Sequence, residues 1–210
     1  MGKQGRFGKY GEIKRLDRLR QSGMRSLPDK GPKSKPKIWR SGSWNGRCQR
    51  GPVRIREAKV GDRGFVARLG GKVFSIYGPY REMLVGWFES GMTVTLIALL
   101  DRKPVGFAMI GHTWGDQGMD LACELLAIAV EPEKRRMGVG KRLMDETEKR
   151  AAEQGAKRLF LHTAVENIGA QKLFSAKGFR PCDIRRQFYP AGQDALLMSK
   201  EIEGVEDPRE

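Results

Sequence analysis

The feature that most restricts what this chain can fold into is an apolar run, Leu125 to Val130, followed after one turn by Arg135-Arg136-Met137-Gly138-Val139-Gly140 and then by a charged helical stretch. Strand, basic glycine turn and helix in that order describe an anion cradle. The start of a helix leaves several backbone N–H groups unpartnered and carries the positive end of the helix dipole. Two glycines let the backbone approach a ligand closely. Spacing narrows the choice of ligand. A P-loop needs glycine five residues before its Gly-Lys pair and Ser or Thr after it, where Arg135 and Arg142 stand. A dinucleotide fingerprint needs a third glycine where Leu143 stands, and should open the first strand-helix unit of the chain.

What remains is the pattern Q/R-x-x-G-x-G/A, with Arg135, Gly138 and Gly140 in its fixed positions. It resembles the acetyl-CoA pyrophosphate loop of the GNAT superfamily of N-acetyltransferases. Downstream, Asn167, Ala170, Leu173, Phe174, Gly178 and Phe179 are similar to that superfamily's N-x-x-A-x-x-L-Y-x-x-x-G-F helix, with Phe174 in the tyrosine position. The stretch Ile184-Arg185-Arg186-Gln187-Phe188-Tyr189-Pro190, with Asp194, Ala195 and Met198, resembles the tail of bacterial ribosomal-protein-alanine N-acetyltransferases. The resemblance runs from about Val53 to about Glu201. It implies that a cofactor arm pairs with the backbone of Ile128, Ala129 and Val130. It also implies that Arg135, Arg136 and the amides of Met137, Gly138, Val139, Gly140 and Lys141 hold a pyrophosphate, and that Asn167 and Phe174 reach the cofactor.

The elements themselves can be placed by pattern. Val53 to Ala58 alternates as a first strand, Asp62 is a candidate helix N-cap, and Pro79 to Phe88 has helical spacing ended by Gly91. Thr93 to Leu100 and Val105 to Gly111 read as a hairpin around Asp101 to Pro104, and Gly115 to Gly118 as a polar turn. The helix after the cradle runs to about Gln154, with Asp145–Lys149 and Glu146–Arg150 as solvent-face pairs. Leu159 to Thr163 is a further strand, and Asn167 caps the helix that follows it. Strands and helices alternating around an antiparallel hairpin give an α/β (α+β) mixed sheet flanked by helices. The resemblance makes it the GNAT fold.

Charge divides the chain. Residues 1–52 hold 15 of the 40 Lys and Arg and 3 of the 25 acids, which leaves three of the formal +15 charges for everything after them. Rich in Gly, Pro and Ser and poor in large aliphatics, that segment reads as a mostly disordered extension. Trp39 and Trp44 among its cations suit RNA phosphates and base stacking, hence contact with RNA or the ribosome, with a solubilising arm as the alternative. The plan is thus an extension (1–52), a catalytic domain (53–201) and a short acidic tail (202–210). Cys48, Cys123 and Cys182 have no paired or metal-like spacing, Met1 opens no apolar leader, and no run approaches a membrane span. These features predict a reduced, cytoplasmic protein with no membrane contact and no metal, although an Arg-rich, acid-poor start also fits a transit peptide. The sequence fits a monomer or a homodimer equally.

The chemistry of acetyl transfer needs a neutral amine, a stabilised oxyanion and a proton for the leaving thiolate. The superfamily's proton donor is the tyrosine that Phe174 replaces, so Tyr189, Ser175 and Cys182 become candidate substitutes. For the base, His162 occupies the position where the ribosomal-protein enzymes carry glutamate, and Glu124 is the second candidate. The expected function is N-acetyl transfer from acetyl-CoA to a primary amine, preferably a protein or peptide N-terminus. The alternatives are a small-molecule amine acetyltransferase and an acyl-CoA-binding, nucleic-acid-associated pseudoenzyme.

Overall fold

The computed structural model describes residues 51–114 and 121–202. The basic extension with Trp39, Trp44 and Cys48, the turn at 115–118 and the acidic tail beyond Ile202 lie outside the described residues. In chain order the elements are β1 (Arg54–Glu57), α1 (Arg63–Phe74), α2 (Tyr80–Glu89), β2 (Thr93–Leu100), β3 (Lys103–Trp114), β4 (Leu121–Val130), α3 (Val139–Glu153), β5 (Arg158–Ala164), α4 (Ile168–Ala176), β6 (Arg180–Arg185) and β7 (Ala195–Glu201).

The strands lie in the order β1-β2-β3-β4-β5-β7-β6, antiparallel throughout except for the parallel β4–β5 pair. Period-2 alternation divides their side chains between two cores. On one face Ile97, Phe107 and Met109 meet Val66 and Leu69 of α1 and Leu84 of α2. On the other, Leu96, Ala108 and Leu125 meet Leu143 and Met144 of α3 and Phe174 of α4. Helices on both faces make three layers, and each fully buried Leu or Phe contributes roughly 1.5–3 kcal/mol of apolar burial.

The feature that creates the site is a defect in β4. It pairs with β5 from Ala122↔Arg158 to Leu125↔Leu161 and no further. β5 continues to Ala164 along β7, so the two parallel strands part after Leu125. At the same point the ladder with β3 steps from Ile110↔Leu125 to Met109↔Ala127, leaving Leu126 as an extra residue. A β-bulge bends its strand and adds twist, which is the local cause of the parting. It also reverses the faces. Cys123 and Leu125 belong to the α3 core, whereas after the bulge Ala127 and Ala129 belong to the α1–α2 core.

Other details differ from the sequence reading. β3 begins two residues earlier than expected, because Asp101 and Arg102 alone form the turn with φ of 50° and 64°, the pair of positive values a two-residue hairpin needs. Asp62 precedes α1 but does not cap it. Its carboxylate accepts from the Lys59 N–H (2.7 Å) and from both Arg56 nitrogens (2.6 and 2.9 Å), and Arg56 holds the group below the usual carboxylate range. Of the two expected pairs on α3, Glu146–Arg150 forms at 3.4 Å, but Asp145 binds Lys177 at 2.8 Å and Lys149 turns to Glu153. Asp145 therefore ties α3 to the end of α4.

Candidate active site

The cradle takes its shape from two left-handed residues, Arg136 (φ 58°) and Gly138 (φ 79°), ahead of α3. Among the described residues no side chain caps this helix, and its first ring closes only at the Arg142 N–H, which donates to the Gly138 carbonyl at 3.0 Å. Among the described residues the amides of Met137 through Lys141 thus have no protein acceptor. Neighbouring carboxylates do not neutralise the cations here, since Glu131 pairs with Arg68 and Lys72, and Glu133 with Lys72. Free N–H groups, a dipole end and two arginines, Arg135 and Arg136, that pair with no carboxylate among the described residues are the features an anion would need here. α4 packs tightly on it, for a Cβ at Gly140 would lie 3.3 Å from Leu173.

Beside the cradle runs the unpaired edge of β4. The Glu131 N–H donates to Val105 of β3 at 2.9 Å. Alternation in an antiparallel ladder then turns the backbone groups of Ile128 and Val130 toward the gap left by β5 and those of Ala129 toward β3. The free edge therefore belongs to Ile128 and Val130, with Ala129 between them. In the gap opens a cleft of about 360 Å³ lined by β4, β5 and aromatic residues including Phe74, Tyr77, Tyr80, Trp87 and Phe188. Asn167 is at its margin and caps α4 as expected, its Oδ1 accepting from the Ala170 N–H at 3.1 Å. Phe174 lines it too, 3% exposed and packed against Phe179.

His162 and Glu124 meet in this cleft, with Nδ1 and Oε1 2.8 Å apart. Register explains the meeting. Glu124 opposes Phe160 across the parallel pair, and His162 lies two residues further along β5 on the same face. An ionised carboxylate only accepts, so a neutral imidazole bonded to it donates through Nδ1 and keeps the lone pair on Nε2. The two residues that the sequence offered as rival bases form one pair. Among the three candidate acids, Tyr189 alone lines the cleft. Ser175 is exposed on α4, and Cys182 on β6 bonds Ser199 Oγ at 3.0 Å. Tyr189 is 8% exposed and packs on Tyr77 and Tyr80. Burial, with the Glu124 charge, pushes Tyr80 up to about 12 and Tyr189 higher still, so these hydroxyls keep their protons. Sequence spacing gave no sign of Tyr77, Tyr80 or the stacking of Phe188 on His162. Among the described residues no group of His, Cys, Asp and Glu is arranged to hold a metal, and no helix is long and apolar enough to cross a membrane.

The pattern of the Acetyltransferase (GNAT) family matches residues 74–179, half of the chain and the whole span from the cleft to the end of the α4 motif. The chain belongs to this family. As an acetyltransferase it has relatives of known name. It is 27% identical over 153 residues to an N-alpha-acetyltransferase of Sulfurisphaera tokodaii, covering 70% of this chain and 91% of that one. A shorter match, 32% over 81 residues, links it to the [ribosomal protein bS18]-alanine N-acetyltransferase of Escherichia coli K12, across 37% of this chain and 55% of that enzyme. In fold it matches Arabidopsis thaliana NAA60 in complex with acetyl-CoA, with a TM-score of 0.65, 19% identity, and coverage of 73% of this chain and 100% of that one.

Proposed function

We propose that this enzyme acetylates the α-amine of a protein or peptide N-terminus from acetyl-CoA. The observation that carries the reading is the His162–Glu124 pair, set in an aromatic cleft where β4 and β5 part. Named relatives that act on N-terminal amines support it. Acetyl-CoA supplies the acetyl group as an activated thioester, and this chain's features fit it. The edge groups of Ile128 and Val130 suit an amide-bearing arm. The amides of Met137 to Lys141, with Arg135 and Arg136, suit a pyrophosphate, while Asn167 and Phe174 border the same channel.

His162 Nε2 takes the proton from the incoming ammonium, and Glu124 steadies the imidazolium so formed. The amine nitrogen then bonds the acetyl carbon as the carbon–sulfur bond breaks, and the second proton left on that nitrogen passes to the departing sulfur, directly or through water. A thiol with pKa near ~8.5 leaves as thiolate without strict need of an acid, which is compatible with Phe174. Tyr189, which lines the cleft, is the substitute this reading favours as the source of a proton for the thiolate. A single imidazole base suits an α-amine, whose pKa of ~7.7–8.0 leaves a sizeable neutral fraction at neutral pH, whereas lysine near ~10.4 leaves about one part in a thousand. Thiol release is expected to be at least about tenfold faster, as kcat/KM, with peptides bearing a free N-terminus than with N-blocked lysine peptides. The reverse preference would exclude the reading.

Residues 1–52 form, in this proposal, an RNA-contacting extension to the catalytic domain at 53–201. Its 15 cations support phosphate contact. The free thiols Cys123 and Cys182 support a reducing, cytoplasmic setting. RNA affinity of the full chain should fall steeply as salt rises, with a slope near ~0.7 per phosphate neutralised on single strands. A slope unchanged by removal of residues 1–52 would assign RNA contact elsewhere.

A further inference from the structure

Phe188 lies between β6 and β7 and is 43% exposed, yet its ring stacks on the His162 imidazole, with centroids 4.2 Å apart and planes 13° from parallel. The loop that carries it is braced at several points. Arg186 pairs with Asp194 at 2.5 Å, the Gln187 N–H donates to Asp194 Oδ1 at 2.9 Å, and the Tyr189 N–H donates to the Gln193 carbonyl at 3.1 Å. The Gln193 side-chain amide in turn donates to the Ile76 carbonyl at 2.7 Å, fixing the loop to the segment before α2. Phe188 meets buried Tyr189 edge-on at 5.2 Å, so its own ring is held from one side while it covers the imidazole with its face.

An imidazole held only by its Nδ1 bond to Glu124 is free to rock about that bond, which would swing Nε2 away from an incoming amine. A parallel ring against its face removes that motion. The same ring attracts the imidazolium once His162 takes a proton, because the face of an arene is electronegative. The other titratable groups around the imidazole are Glu124 on β4, Tyr77 and Tyr80 on the helical side, and Tyr189 in the loop. Further out are Glu166 ahead of α4, whose charge is felt by Tyr77 and Tyr189, and the Asp183–Arg185 pair of β6, where Asp183 shares a row with Leu197 and His162. No lysine or arginine among the described residues lines the cleft.

We propose that Phe188 is a positioning residue for the proposed base: its ring fixes the His162 imidazole against Glu124 and stabilises the imidazolium formed in the reaction. The inference rests on the reading of His162 as base. The experiment uses the full chain as wild type, Phe188→Leu, Phe188→Trp and His162→Ala, measuring kcat and KM across pH with one N-terminal peptide, and acetyl-CoA affinity by calorimetry. Phe188→Leu should lower kcat about tenfold, the rate equivalent of one modest cation–π contact. It should also shift to lower pH the limb that His162→Ala removes, because the imidazolium is less favoured without the ring. Acetyl-CoA affinity should stay at the wild-type value, which excludes misfolding. Phe188→Trp should restore both rate and limb. An unshifted limb with unchanged kcat in Phe188→Leu, or a Phe188→Trp enzyme as impaired as the leucine variant, overturns the role of Phe188 and leaves His162 standing as base. If His162→Ala keeps the wild-type rate and limb, the base reading fails first and takes this inference with it.

Discussion

Gly138→Glu is expected to weaken acetyl-CoA binding by at least about a hundredfold. Three causes act together. Gly138 sits at φ 79°, where a side chain costs roughly 1–2 kcal/mol. The new carboxylate stands at the positive end of α3, where it repels phosphate and competes for the free amides of Met137 to Lys141. It also fills the approach to the turn. A Cβ at this position meets no protein atom within 4 Å, so crowding inside the protein is not the source of the loss. Gly138→Ala separates the causes, for it carries the backbone strain without the charge. Its melting temperature should fall, while its cofactor affinity drops far less than in the glutamate variant. Calorimetry with acetyl-CoA checks both. Undiminished binding in Gly138→Glu would remove the cradle from the cofactor site.

Much of this half of the site is legible in the sequence because it is local. Arg135, Gly138 and Gly140 lie within six residues and the glycine requirement is a backbone property of one turn. Asn167 caps the helix directly after it. The hairpin strand β2 likewise follows from its own apolar run. What pattern reading misses depends on register between distant segments. Leu126 looks like any other residue of a continuous apolar stretch, yet its bulge parts β4 from β5 and reverses which residues face α1. Glu124 and His162 are separated by a whole helix, and whether they meet or compete is set by the parallel pairing Glu124↔Phe160. Asp145 has a well-spaced partner in Lys149, and loses it to Lys177 because α4 brings a lysine, 15% exposed, over the face of α3. Phe188 and Tyr189 are adjacent in sequence. Only the braced loop decides that one covers the imidazole while the other enters the tyrosine cluster.

His162→Ala should lower kcat with an N-terminal peptide by about 10²–10⁴-fold, the usual contribution of a positioned general base, with acetyl-CoA affinity unchanged. Glu124→Gln should give a smaller loss, since an amide oxygen still accepts from Nδ1 but no longer carries the charge that steadies the imidazolium. The pH dependence gives the sharper test. Above about pH 8 the α-amine is already mostly neutral, so the deficit of His162→Ala should narrow as pH rises. The cleft tyrosines do not interrupt that comparison at moderately alkaline pH. Tyr80 is held at about 12 by burial and then by the Glu124 charge, and Tyr189 is raised further. Unfolded tyrosine ionises near ~10 and the native group near 12, so native stability is whole below ~10 and declines as pH rises between those values. A rate that falls within that window in every variant alike reports unfolding, to be checked by circular dichroism at the same pH. A His162→Ala deficit that stays constant from neutral pH up to that window would mean that proton removal from the amine is not the task of this imidazole.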